Sequence, residues 1–251
     1  MVSQNIFSMK CTEWFEDWFD SEYYHKLYKN RDASEAKFFI DNLLAFLQIP
    51  EKSQLLDLAC GSGRHSIYLS KKKFSVTGID LSENNIRKAC KSSSENLFFY
   101  RHDMRLPFRI NFYDAVFNLF TSFGYFEKES DNEKVIHSAT LALKKNGIFI
   151  LDFINADKAI TEMVASEKKV SEGTQFNIKR SFENGFILKK IVFKSGFKTC
   201  HFTEKVRAYS LADFEKLFQK NGLSIQHVFG DYKLNPFNEK TSDRLIIIGK
   251  K

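Results

Sequence analysis

The stretch LLDLACGSGRHSIYL at positions 55–69 narrows the possible folds more than any other part of the chain. An apolar run of strand length stops at a loop with two glycines in three residues, Gly61-Ser62-Gly63, and resumes with helical spacing. Glycine there removes Cβ, tolerates a positive φ and lets backbone N–H groups come close to a ligand. The helix N-terminus that follows adds partial positive charge, which suits a carboxylate or a phosphate.

Such a unit opens an α/β sheet, and the chain continues in kind. The first strand, 54–58, is followed by a helix at 64–72 and a second strand, SVTGI. Ser82 caps a helix running to Cys90. NLFFY and YDAVFNLF are strands three and four, a helix spans about 132–143, and Gly147 precedes strand five, IFILDF. Two helical segments come before the alternation. Trp14, Phe15, Trp18 and Phe19 share one helical face; Phe39, Ile40, Leu43, Leu44 and Leu47 repeat that spacing over 33–48, ahead of Pro50.

The pattern changes after Asn155. A helix at 156–166 is expected to lead into a β-rich run in which Asn184-Gly185 and Ser195-Gly196 are turns, predicting an antiparallel meander of three strands. Ser210 and Asp213 start another helix, Asn221-Gly222 ends it, and LSIQHVF and RLIIIG close the chain as strands. The expected organisation is a helical cap at 1–50, a core at 51–155 and 209–251, and a β-insertion at 156–208.

Composition excludes several classes. With 27 phenylalanines and 3 prolines the chain reads as Phe-cored rather than linker-rich. The net charge of +7 is scattered, and its one run, Lys71-Lys72-Lys73, sits where cations complement a helix C-terminus, so nucleic acid is not the expected partner. The four cysteines, Cys11, Cys60, Cys90 and Cys200, form no CxxC pair and no metal spacing; reduced thiols in the cytoplasm and no bound metal are expected. The N-terminal segment lacks the long apolar stretch of a signal peptide, and no apolar run is long enough to span a membrane.

What ligand needs the bare loop? Nineteen residues beyond Gly61, at the end of strand two, stands Asp80, placed to accept hydrogen bonds from the two hydroxyls of a ribose. A dinucleotide and S-adenosylmethionine (SAM) both use this layout. Three details separate them. The dinucleotide fingerprint wants Gly or Ala at its sixth position, here Ser66. Asp57 on strand one suits an ammonium and would repel a pyrophosphate. In RHDMR, Asp103 and Met104 offer an acid for an adenine amine beside an apolar residue for the ring.

These residues resemble the class I SAM-dependent methyltransferases. LLDLACGSGRHS matches that family's first motif, GIDLS its acidic second-strand end, HDMR its adenine loop and ALKKNGIFILDF its fifth strand, covering 54–153 continuously. The resemblance implies a Rossmann-like, mostly parallel sheet of seven strands with a last antiparallel strand. It implies SAM as cofactor, with S-adenosylhomocysteine as product, and Asp57, Ala59, Gly61, Gly63, Asp80, Leu81, Asp103, Met104 and Phe120 as its contacts. A narrower likeness, to sugar N-methyltransferases, lies in YYHKLYKNRDASEA, HDMR, SFGYF and the β-insertion. In such enzymes tyrosines before the core close over the cofactor, which nominates Tyr24, Tyr28 and Arg31. The insertion often carries substrate or dimer contacts, so a homodimer through it is an expectation.

A sulfonium methyl is already activated, so the protein supplies alignment, desolvation and, where required, a base. Open α/β sheets bind ligands beyond the strands' carboxyl ends, which puts Phe120, Thr121, Tyr125, Phe126, Asp152 and Asn155 near an acceptor, with Tyr125 and Asn155 the substrate candidates. His102, Glu127, His137 and His201 are possible bases, and none is singled out. The leading reading is transfer to a nitrogen or oxygen of a small molecule. Methylation of RNA or protein comes second, although NLFT after strand four lacks the NPPY-like tetrapeptide of base methylation, and a cysteine for cytosine chemistry is missing there. A non-catalytic SAM-binding protein is the third.

Overall fold

The structure, a computed structural model, describes residues 14–28 and 33–251. Two short helices, α1 (Trp14–Phe19) and α2 (Glu22–Leu27), precede α3 (Ala33–Leu47). The core then alternates β1 (Gln54–Leu58), α4 (Arg64–Lys71), β2 (Ser75–Asp80), α5 (Glu83–Ala89), β3 (Leu97–Arg101), β4 (Tyr113–Asn118), α6 (Glu129–Ala142) and β5 (Leu143–Ile154). After α7 (Ala156–Thr161) come β6 (Ser166–Ser171), β7 (Thr174–Glu183), β8 (Phe186–Ser195) and β9 (Lys198–Arg207). The chain ends with α8 (Leu211–Lys220), β10 (Ser224–Phe229) and β11 (Arg244–Lys250).

Seven strands form one sheet in the order β10-β11-β5-β4-β1-β2-β3, parallel from β5 to β3 and antiparallel where β11 pairs with β5 and β10 with β11. This is the expected Rossmann-like architecture. Strand order reverses between β1 and β4, so a crevice opens beyond their carboxyl ends, the usual place for a ligand in an open α/β sheet. The central strands are buried on both faces: Leu55, Leu56, Val76, Val116, Phe117, Ile150 and Leu151 are all at 1% exposure or less.

The insertion departs from expectation in its strand count and in the length of the helix before it. It has four strands, β6-β7-β8-β9, not three. The helix expected over 156–166 stops at Thr161, and Ser166–Ser171 pairs with β7 through a tight turn at Glu172 and Gly173, both at positive φ. SEKKVS carries a single apolar residue, so its edge-strand character rests on that turn and on pairing rather than on hydrophobic alternation.

The inward face of this sheet builds a core of its own. Phe176 and Ile178 of β7 and Ile191 and Phe193 of β8 pack with Trp18 of α1 and Leu27 of α2, all at 1% exposure or less. The first two helices therefore bridge insertion and main sheet, while α3 lies against α4. Tyr24 and Tyr28 end up in the seam, packed against the insertion core and facing the crevice.

Candidate functional site

The glycine loop does two different jobs. At Gly61, φ is +56° and an added Cβ would meet nothing within 4 Å, so this backbone faces open space. At Gly63, φ is +86° and an added Cβ would stand 2.7 Å from the Phe99 ring, so this glycine admits a side chain of β3. Gly63 starts α4 and does not line the cavity.

Asp80 anchors the loop. Its Oδ2 accepts from the Gly61 N–H at 2.8 Å and its Oδ1 from the Ser82 N–H at 2.9 Å. Burial raises its pKa above the ordinary carboxylate value, and the two N–H donors work against that rise. Asp57 on β1 is 2% exposed and accepts from Ser66 Oγ at 2.5 Å. Burial, relieved in part by Ser66 and increased by the Asp80 charge, pushes its pKa up to about 7. Ser66 thus serves Asp57, and that is why the sixth fingerprint position carries a hydroxyl.

A cavity opens over this loop. It brings together Tyr24, Tyr28, Asp57, Ala59, Gly61, Asp80, Phe120 and Tyr125 of the residues expected from sequence. His25, Arg64, His65 and Asn85 also line it and were missed by sequence reasoning. Leu81, Asp103 and Met104 lie next to the Asp80 end of the sheet but outside the cavity lining. Leu81 and Met104 pack against the main core, and Asp103 is forked by the Arg105 guanidinium at 2.6–3.0 Å. Burial raises Asp103, yet Arg105 outweighs it and holds the carboxyl below its ordinary range. Arg31 lies outside the described residues.

A second cavity of about 450 Å³, inside the ~300–1,000 Å³ span of small-molecule sites, adjoins the first between core and insertion. Phe19, Tyr28, Phe120 and Tyr125 line both cavities and form the partition. Its far wall is charged: Arg180, Lys189 and Glu204 stand in one cross-strand row of β7, β8 and β9. Glu204 accepts from Trp18 Nε1 at 2.7 Å and from the Tyr28 hydroxyl at 2.6 Å. Lys189 Nζ reaches the Tyr28 oxygen at 2.5 Å and Glu204 at 3.6 Å. Charged residues on a strand face otherwise occupied by Phe176, Ile178, Ile191 and Phe193 were the available signal for this wall.

The turn beyond β4 that carries Phe120 is held from β5. Phe120 and Thr121 both have positive φ, at 64° and 59°. Asp152, fully buried, accepts from the Phe120 N–H at 2.8 Å through its carboxylate and from the Thr121 N–H at 2.9 Å through its carbonyl. Arg244 neutralises that carboxylate at 2.7–2.8 Å and donates to Thr121 Oγ1 at 3.0 Å. Asp152 is therefore a scaffold for the partition.

Asn155 requires a correction. Its amide donates to the Glu239 and Ser242 carbonyls at 2.7 and 2.8 Å, fastening the loop before β11, and it lines neither cavity. The candidate bases lie apart as well. His102 Nε2 pairs with the Leu106 carbonyl, Glu127 with Lys205, and His137 and His201 are exposed.

A family described as "Methyltransferase domain" matches residues 49–222. The chain belongs to that methyltransferase family. It is a class I, SAM-dependent methyltransferase. YqeM of Bacillus subtilis (strain 168), itself named provisionally as a methyltransferase, is 30% identical over 195 residues, 73% of this chain and 78% of that protein. The dTDP-3-amino-3,4,6-trideoxy-alpha-D-glucopyranose N,N-dimethyltransferase of Streptomyces venezuelae is 24% identical over 212 residues, 79% of this chain and 86% of that one. The crystal structure of a SAM-dependent methyltransferase from Clostridium acetobutylicum shares the fold, with a TM-score of 0.77 and 22% identity over 91% of this chain and 96% of that one.

The methyltransferase's residues fit SAM on local grounds. The open face of Gly61 admits a ligand against backbone, Asp57 and Asp80 supply acids on adjacent strands, and His65 Nε2 and Asn85 Oδ1 are buried with no hydrogen-bond partner. Asp80 would receive the ribose hydroxyls and Asp57 the ammonium end. No cluster of metal-ligating side chains occurs, and no helix is long and apolar enough to cross a membrane, among the described residues.

Proposed function

We propose that this methyltransferase transfers the SAM methyl to a small acceptor, at an amine nitrogen in preference to an oxygen. The observation that carries the reading is Glu204, a carboxylate fixed by Trp18 and Tyr28 in a cavity that shares an aromatic partition with the cofactor cavity. SAM brings an activated sulfonium methyl, so no protein nucleophile is needed. The chain's work is positioning. Phe19, Tyr28, Phe120 and Tyr125 exclude water where the two cavities meet, and Asp152 with Arg244 keeps Phe120 in place.

An amine arrives as an ammonium and must lose a proton before its lone pair can attack. Glu204 offers a negative oxygen for that cation and a place for the proton. Trp14, Phe19 and Tyr125, with ring centroids 5.4–5.7 Å apart, offer aromatic faces to the same charge. The relative from Streptomyces venezuelae, named as an amino-sugar N,N-dimethyltransferase, supports a small amine-bearing acceptor.

The test is label transfer from methyl-tritiated SAM into cell extract separated into small-molecule, RNA and protein fractions, with Glu204→Gln alongside. Label in the small-molecule fraction that Glu204→Gln reduces is expected. Label confined to RNA or protein would refute the small-acceptor reading.

A further inference from the structure

We propose that His65 binds the amino-acid end of SAM, its Nε2–H donating to the cofactor's carboxylate. The inference rests on the reading of the first cavity as the SAM site and goes beyond the glycine loop and the two acids.

His65 is the second residue of α4 and is 6% exposed. It lines the cofactor cavity, yet its Nε2 has no hydrogen-bond partner. A buried ring nitrogen left unpaired is costly, and folded chains satisfy almost all such groups. A buried orphan on a side chain of the cavity lining therefore points to a ligand atom as its partner. The surroundings select which one. Burial, reinforced by the Arg64 charge, lowers the His65 pKa to about 3, so the ring is neutral at physiological pH and donates from Nε2 in its Nε2–H tautomer. Arg64 and the first turn of α4 make the neighbourhood positive, which favours a carboxylate. Asp57, one strand end away in the same cavity, is the counterpart for the ammonium of the same amino-acid group. The His65 ring also lies 6.1 Å from that of Phe120, on the partition side of the cavity.

Calorimetry separates this role from packing. The probes are SAM and 5′-methylthioadenosine, which keeps the nucleoside and sulfur but lacks the amino-acid end. The variants are His65→Phe, which keeps a ring and removes the donor, and His65→Gln, whose amide nitrogen reaches a position close to that of Nε2. His65→Phe should weaken SAM by about tenfold or more, the scale of a hydrogen bond to a charged group, while methylthioadenosine changes little. His65→Gln should recover part of the SAM affinity. The thermal midpoint of ligand-free His65→Phe should match or exceed wild type, because an unsatisfied group has been removed.

Equal losses for both ligands, or unchanged SAM affinity in His65→Phe, would overturn the assignment while leaving the SAM site standing. A wild-type protein that bound neither ligand would overturn the site itself.

Discussion

The Tyr28 hydroxyl lies 2.6 Å from Glu204 Oε1, joining the end of α2 to β9 across 176 residues of sequence. The bond ties the tyrosine that borders both cavities to the insertion sheet, and Lys189 closes the arrangement from β8. The partition between the two cavities and the charged wall of the second are thereby one structure.

Tyr28→Phe tests that fastening. The phenol donates to a carboxylate, so its loss should cost about 1.5–3 kcal/mol of stability in urea unfolding. Glu204→Gln keeps an acceptor for both Trp18 and Tyr28 and should cost less. A Tyr28→Phe protein as stable as wild type would contradict the account.

Asp57 gives SAM binding a pH dependence with a definite sign. Its folded pKa of about 7 lies above the ordinary carboxylate value, so between roughly pH 4 and 7 the folded protein holds a proton that the unfolded chain has lost. Ligand-free stability should therefore fall as pH rises through that window. An ammonium partner favours the ionised form, so SAM should bind more tightly from pH 6 to pH 8 and release a proton below about pH 7. Calorimetry in two buffers of different ionisation enthalpy measures that proton. In Asp57→Asn both the release and the rise in affinity should disappear.

Arg244→Met leaves the Asp152 carboxylate buried and uncompensated beside two residues at positive φ. Breaking such a pair costs about 3–5 kcal/mol. Lys73→Met, which breaks an exposed pair with Glu51, should change stability by less than about 1 kcal/mol. Urea midpoints compare the two, and similar small shifts would show that the Arg244 pair does not hold the turn.

Much of the core was legible because its signals are local. The loop at Gly61, the acid at Asp80 and the alternating strands each follow from a few neighbouring residues. The alternation of strands and helices predicted a parallel sheet, while its seven strands and antiparallel last strand were implied by the resemblance to class I methyltransferases. The charged wall of the second cavity was not legible. Lys189 and Glu204 are fifteen positions apart in a chain rich in charge, and only the β8–β9 register sets them opposite each other. Asn155 misled for a related reason: proximity to a strand end says nothing of where a side chain points, and the carbonyls of Glu239 and Ser242 took its amide. His65 was hidden because a histidine in a first helical turn has no distinctive pattern, and its missing partner is a property of the folded cavity.

The most direct test of the account is a calorimetric titration of SAM into the wild-type protein and Asp80→Ala. The role proposed for Asp80 is to receive the ribose hydroxyls, and its oxygens hold the Gly61 and Ser82 amides. Wild type should bind one SAM per chain, and Asp80→Ala should lose about 1.5–3 kcal/mol of binding, roughly ten- to more than a hundredfold, with its circular dichroism spectrum retained. A folded Asp80→Ala protein that binds SAM as tightly as wild type would contradict the assignment of this cavity to the cofactor.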